Sequence, residues 1–213
     1  MSTSQVIYIF VLSTCFVCYV RTWRNNVLTI LLGLSLFTEL IVNISWYILN
    51  TNYHAIYKLY IPFELAIVLV WFNNQKIKLL SSRLLSRLFI GYIVTSMLYY
   101  LLVAESWEAF PGGLYNLSGL IIIFCAMVYL FSVHAHSTSD LLNKGAFWIA
   151  LSFILFYTGI FTTNLVYNYF DISSSDISRN LRVYLTKSFN IVFYLMLIFG
   201  AWVNWTQRKP FLA

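Results

Sequence analysis

The chain has 213 residues, of which 61% are hydrophobic, 19% aromatic and only 9% charged, with a formal net charge of +6. A soluble domain carries about a quarter charged residues, so this balance marks a chain that lives in lipid and excludes a separate water-soluble catalytic domain. The 13 basic residues are scattered between lipid-soluble segments, which excludes nucleic acid as the partner and makes their distribution a report on membrane orientation.

One helix crosses a bilayer with about 20 apolar residues. Seven such runs are expected, at residues 5–20, 27–49, 55–72, 88–104, 115–133, 146–169 and 183–205. The first is short, but no positive charge precedes it and no small-residue cleavage site follows, so it reads as a helix of the mature chain. Its Cys15 and Cys18 lie inside the apolar run with no metal or redox context and read, like Cys125, as core thiols without a disulfide.

The second run carries Glu39 near its middle, and Glu39, Asn43, Trp46 and Asn50 recur at helical spacing as one polar stripe. The third carries Tyr57, Tyr60 and Glu64 on one face, His54 and Lys58 near its start, and Pro62, which removes a backbone donor and predicts a kink. Residues 73–87 interleave Ile77, Leu79, Leu80, Leu84 and Leu85 with Lys76, Lys78, Arg83 and Arg87. That pattern suits a short amphipathic helix on anionic lipid, and the four cations are candidate partner contacts. The fifth run is apolar on every face over residues 119–131, which excludes the alternating pattern of a membrane barrel. It ends in His134 and His136, followed by Asp140. Three histidines in the chain cannot supply the converging ligands of a membrane zinc hydrolase, and these read as an interfacial cap. The sixth run presents Tyr157, Asn164 and Asn168 on one face; the seventh presents Thr186, Lys187, Asn190 and Tyr194. Lys187 sits about one turn from the end of its helix, too shallow for a retinal-type Schiff base.

The expected fold is therefore all-α: residues 1–213 form a single polytopic bundle of seven transmembrane helices. Orientation follows from the basic residues in alternate loops. Arg21, Arg24, Lys76, Lys78, Arg83, Arg87, Lys144, Arg208 and Lys209 fall on one side. Lys58, Arg179, Arg182 and Lys187 fall on the other, with Glu105, Glu108, Asp171 and Asp176. The N-terminus is thus expected outside and the C-terminus in the cytoplasm. Trp23, Trp46, Trp71, Trp107 and Trp205 lie near span ends, where their rings suit the headgroup region.

Ionisable side chains at membrane depth are costly and face a bundle interior or a wet cavity. Glu39, Asn43, Tyr57, Glu64, Asn164, Lys187 and Asn190 are accordingly the candidate ligand-binding residues, in a pocket among the second, third, sixth and seventh helices in the outer half of the membrane. The same residues also suit a plainer role as interhelical hydrogen-bonding glue. No nucleophile elbow, phosphate loop or Ser–His pairing is present, so no catalytic residue, cofactor or metal is assigned and the chain is not expected to be an enzyme.

Three stretches, NYHAIYKLYIPFE (52–64), FWIALSFILFYTG (147–159) and NIVFYLMLIFGAW (190–202), together resemble a group of seven-helix bacterial inner-membrane proteins of Bacteroidetes. That group is associated with two-component sensor histidine kinases. The resemblance points to Tyr57, Glu64, Trp148, Asn190 and Trp202; Lys187 has no counterpart in it. It implies a multi-pass inner-membrane component that senses a ligand and acts through a membrane or cytoplasmic partner such as a sensor kinase. A small transporter or channel built on Glu39 and Glu64, as a homo-oligomer in the lipid bilayer, is the competing expectation.

Overall fold

The computed structural model describes residues 3–23, 26–48, 55–102, 111–134, 142–169 and 176–208. They form α1 (Thr3–Trp23), α2 (Val27–Ile48), α3 (Ala55–Asn74), α4 (Ser82–Leu102), α5 (Gly112–His134), α6 (Gly145–Tyr169) and α7 (Asp176–Arg208), with no strand among the described residues. Six of these, α2 to α7, are long and apolar enough to cross a membrane. The expectation of seven membrane-length runs is met in part: six are found among the described residues, and α1 contributes a shorter apolar stretch over Gln5–Arg21.

The helices pack in the circular order α1, α2, α3, α5, α6, α7 and back to α1, while α4 lies outside the ring against α3 and α5. Lipid-soluble side chains cover the outside. Phe10, Ile30, Phe37, Leu59, Phe63, Met97, Leu101, Leu102 and Phe131 are all exposed, a surface that water would not tolerate and that a bilayer requires. Hydroxyls in these helices satisfy themselves locally: Thr14, Ser96 and Thr163 each donate to the carbonyl four residues earlier, at 2.8 Å. Asn26 and Ser81 accept backbone N–H donors at the starts of α2 and α4, which supplies the orphan donors of a helix start.

Successive helices run in opposite senses, so the bundle has a near end, where α1 starts, and a far end, where α7 finishes. The interior is filled differently at the two ends. Toward the far end, Trp71, Phe72, Tyr129 and Phe153 are buried together, with ring centroids 4.9 to 6.4 Å apart. Beside them the Tyr19 hydroxyl of α1 donates to the Leu197 carbonyl of α7 at 3.1 Å. Such offset aromatic packing fills space densely with little rotamer freedom to lose. From Phe153 the rings continue through Phe193 (5.6 Å) and Tyr194 (5.2 Å) to Tyr8 (6.0 Å), toward the near end.

The α6–α7 crossing is the most intimate of the bundle. Gly145 lies on the backbone of Gly200 and beside Asn204, whose Oδ1 accepts the Gly145 N–H at 3.1 Å. Further along, Gly159 lies against the Phe189 ring. Without a hydrophobic drive between helices in lipid, close backbone approach at small residues is what holds them together.

The connection from α3 to α4 corrects the expectation of an amphipathic helix over residues 73–87. α3 runs through Pro62 and ends at Asn74, Lys76 takes a left-handed conformation (φ 53°), and residues 75–81 make a tight turn. Residues 82–87 are the first turns of α4 itself. Most apolar residues of the segment face the bundle: Leu80 and Leu85 are buried and Ile77 and Leu84 pack on the core, while Leu79 is exposed. Lys76, Lys78, Arg83 and Arg87 are exposed at the far end.

A side chain at the α6–α7 contact has nowhere to go. Gly145→Val is therefore expected to lower stability by roughly 1–3 kcal/mol through overpacking. Gly91→Ala, at a position open to its surroundings, is expected to leave stability unchanged or slightly raised. Thermal unfolding in detergent compares the two, and equal midpoints would contradict the tight crossing.

Candidate functional site

Where the aromatic filling stops, a cavity of about 420 Å³ begins, lined by α1, α2, α3, α5, α6 and α7. That volume lies within the range of small-molecule sites, roughly 300–1,000 Å³. Leu31, Leu32, Phe156, Ile160 and Phe193 form apolar wall, and Arg182 and Val183, both exposed, mark the mouth near the start of α7. Residues 181–185 of α7 are exposed, and Arg182 among them reaches across to Asn164 of α6.

Glu64 sits deepest of the charged groups. It lies midway along α3 and is 7% exposed. The Tyr60 hydroxyl, one turn earlier, donates to its Oε1 at 3.1 Å and contacts Ser35 Oγ of α2 at 2.8 Å, while Ser35 also reaches the Leu31 carbonyl at 2.9 Å. The other carboxyl oxygen, Oε2, is buried without a hydrogen-bond partner; so is the Tyr157 hydroxyl, which approaches the same carboxyl from α6. Glu39 is held differently. Tyr57 donates to its Oε1 at 3.1 Å, and Tyr8 and Lys187 lie close to it from α1 and α7. Nearer the mouth an amide chain links three helices: Arg182 donates to Asn164 Oδ1 and Asn164 donates to Asn116 Oδ1, both at 3.0 Å.

Of the residues singled out from sequence, Glu39, Tyr57, Glu64, Asn164, Lys187 and Asn190 all line this one cavity. Asn43 does not. Its amide donates to the Glu39 carbonyl at 2.7 Å and its Oδ1 accepts from Gln5 of α1 at 3.0 Å, so it joins α1 to α2. Lys58 also turns away, into α4, with its ammonium 5.4 Å from the centre of the Tyr100 ring, a cation–π contact. Trp148 donates to the Leu142 carbonyl at 2.8 Å and packs on Phe199, and Trp202 is exposed, so neither reaches the cavity. Cys15 and Cys125 are buried and His134 is exposed. Asn50, His54, Glu105, Trp107, Glu108, His136, Asp140 and Asp171 lie outside the described residues, as do the side chains of Trp46 and Asn168.

The sequence reading placed the pocket among four helices and missed two of its walls. Tyr8 of α1 and Tyr115 of α5 complete the lining. Their signal was weak, one of two tyrosines on a mostly apolar helix. Arg182 was counted for orientation alone, although it lies one turn from Thr186 and Lys187.

Against models of known protein families, curated proteins and solved structures, the chain shows no match. Fold and composition define it as a helical bundle of the multi-pass membrane type.

Interhelical hydrogen bonds in membrane bundles average about 0.6 kcal/mol. A double-mutant cycle of Ser35→Ala and Tyr60→Phe is expected to give a coupling near that size by detergent-induced unfolding. Thr95→Ala combined with Tyr60→Phe should give none, since Thr95 is exposed and bonds within α4.

Proposed function

We propose that this chain is a bacterial inner-membrane sensory component that crosses the bilayer seven times, N-terminus outside and C-terminus in the cytoplasm. It binds a ligand in the near-end cavity and passes a helix shift to a partner at the far end. The observation that carries this reading is the blind cavity. It is open and polar at its mouth, floored by Glu64, and stopped by the packed rings of Trp71, Phe72, Tyr129 and Phe153. A site open to one side and sealed from the other suits ligand capture better than conduction.

The topology rests on two supports. Arg21, Lys76, Lys78, Arg83 and Arg87 are exposed at the far end, whereas Lys58 is buried and Lys187 faces the cavity at the other. That asymmetry supports a cytoplasmic far end. α1 has 21 residues and so spans about 31 Å, close to the hydrocarbon thickness of about 30 Å. Its place in the ring between α2 and α7 supports reading it as the seventh crossing.

Ligand binding reaches the partner through α7. This 33-residue helix lines the cavity with Arg182, Lys187 and Asn190 and continues to Arg208 at the far end. A ligand that draws its start inward would tilt the whole rod against α6, at the glycine contacts. The exposed Lys76, Lys78, Arg83 and Arg87 are the surface for a sensor kinase or a similar partner. Alternating-access transport is the second reading, favoured by the mid-bundle carboxyls Glu39 and Glu64; it requires the aromatic seal to open.

In a background lacking Cys15, Cys18 and Cys125, Thr186→Cys is expected to react with a membrane-impermeant maleimide added outside intact cells. Lys78→Cys should react only after permeabilisation, and the reverse order would invert the topology. Lys78→Glu with Arg83→Glu is expected to release a co-purifying partner without altering thermal stability; an unchanged complex counts against that surface. Glu64→Gln should leave proteoliposome flux at background, as in the unaltered chain, whereas flux that Glu64→Gln abolishes would establish transport.

A further inference from the structure

We propose that the exposed face of α4 holds an anionic phospholipid, its phosphate against Arg83 and Arg87 and an acyl chain running down the helix over Gly91. The inference goes beyond the sensory reading and does not rest on the cavity; it requires only that α4 crosses the membrane.

The rotation of α4 is set by what it buries. Leu85, Tyr92 and Ser96 are its buried side chains, and at 3.6 residues per turn they share one face. The opposite face carries Arg83, Arg87, Ile90, Gly91, Val94 and Leu98, all exposed. Among the described residues α4 packs on α3 and α5 alone, so this face looks into the bilayer.

Two guanidinium groups on a lipid-facing surface need an anion. Arg83 and Arg87 both belong to the apolar span Ser82–Leu102, and Arg87 starts about 7 Å along the helix from Ser82. An arginine facing lipid near a helix end reaches back to the headgroup layer for its partner. The described acidic residues are all elsewhere: Glu39 and Glu64 line the cavity, and Asp176 begins α7 at the near end. Phosphate is the anion that the headgroup layer supplies, and a guanidinium binds it with two parallel hydrogen bonds. One turn apart, at about 6 Å between Cβ atoms, the two arginines can share a single phosphodiester. Lys76 and Lys78, exposed in the preceding turn, add positive field, which favours a net negative headgroup over one that carries its own ammonium.

Below the arginines the surface is notched. Gly91 is one turn beyond Arg87, and a Cβ there would meet nothing within 4 Å. Thr95, a further turn on, folds its hydroxyl back onto the Gly91 carbonyl at 2.8 Å, and Ile90 and Val94 stand exposed alongside. A chain descending from a phosphate at Arg83 and Arg87 meets an apolar step with no side chain at its centre, space that an acyl chain fills by dispersion contacts.

The full chain is reconstituted in nanodiscs of equal parts phosphatidylglycerol and phosphatidylethanolamine, and the lipid that stays bound after release into detergent is counted by native mass spectrometry. Retained phosphatidylglycerol is expected to exceed phosphatidylethanolamine five-fold or more. Arg83→Gln with Arg87→Gln should bring the ratio close to one. Lys76→Gln with Lys78→Gln removes the same charge and should keep at least half of the enrichment. Gly91→Leu leaves every charge in place and should lower the retained phosphatidylglycerol two-fold or more; it decides if the arginine pair does not fold. A ratio near one in the unaltered chain overturns the site. Equal losses from the two charge-matched pairs also overturn it and leave only a diffuse attraction of anionic lipid to the far end. A protein that co-purifies in place of lipid and is released by the arginine substitutions would assign the face to that protein instead. The retention measurement uses the chain without a partner, so it can fail while the sensory reading stands, and the reverse.

Discussion

A carboxyl group halfway through a hydrocarbon layer has to be dissolved by the protein around it. Glu64 sets this constraint, and much of the interior is arranged to meet it. Turning Glu64 inward fixes the rotation of α3, which brings Tyr60 and Tyr57 to the same face one and two turns earlier. Tyr60 then reaches Glu64 and Ser35 together, and Tyr57 reaches Glu39, so two carboxyls and two tyrosines fasten α2 to α3. The opposite face of α3 is left to Leu59, Phe63 and Val70, which are exposed toward lipid. Two neighbouring buried atoms of this cluster, Glu64 Oε2 and the Tyr157 hydroxyl, lack a hydrogen-bond partner, and they lie beside the cavity.

The closed ring of six helices creates an axial space that side chains must fill or leave. Near the far end it is filled by large rings whose polar groups are the Trp71 indole N–H and the Tyr129 hydroxyl. Toward the near end the same space is bordered by tyrosines, amides and charged groups, whose hydroxyls and amides bond one another and hold the walls apart. The transition falls within a few residues on α6, between Phe153 in the packed half and Phe156 in the cavity wall. One helix thus carries the seal and the site, and α7 follows it closely because glycines at 145, 159 and 200 admit the contact.

α4 stands apart from this scheme. Outside the ring, it presents Ile90, Val94, Met97, Leu98, Leu101 and Leu102 to the surroundings and touches only α3 and α5. The Lys58 ammonium lies over the Tyr100 ring in that seam, and the α3–α4 turn ties its other end through buried Leu80 and Leu85.

Hydropathy and length alone determined the helical class, six of the membrane-length runs and the inward direction of Glu39 and Glu64, because lipid leaves backbone and charge so few alternatives. Helical spacing also placed Tyr57, Asn164, Lys187 and Asn190 on interior faces correctly. The circular order of the helices, the exclusion of α4 from the ring and the entry of Tyr8 and Tyr115 into the cavity were decided only by tertiary structure. They depend on which faces meet, and helices that are apolar on every side carry little record of that. The same holds for Asn43 and Lys58, whose spacing matched the polar stripes but whose partners, Gln5 and Tyr100, lie on helices outside the predicted pocket. The segment over residues 73–87 shows the limit most plainly. Its alternation of cations and leucines is equally compatible with a helix on lipid and a turn tucked into a bundle, and the buried space available to Leu80 and Leu85 decided between them.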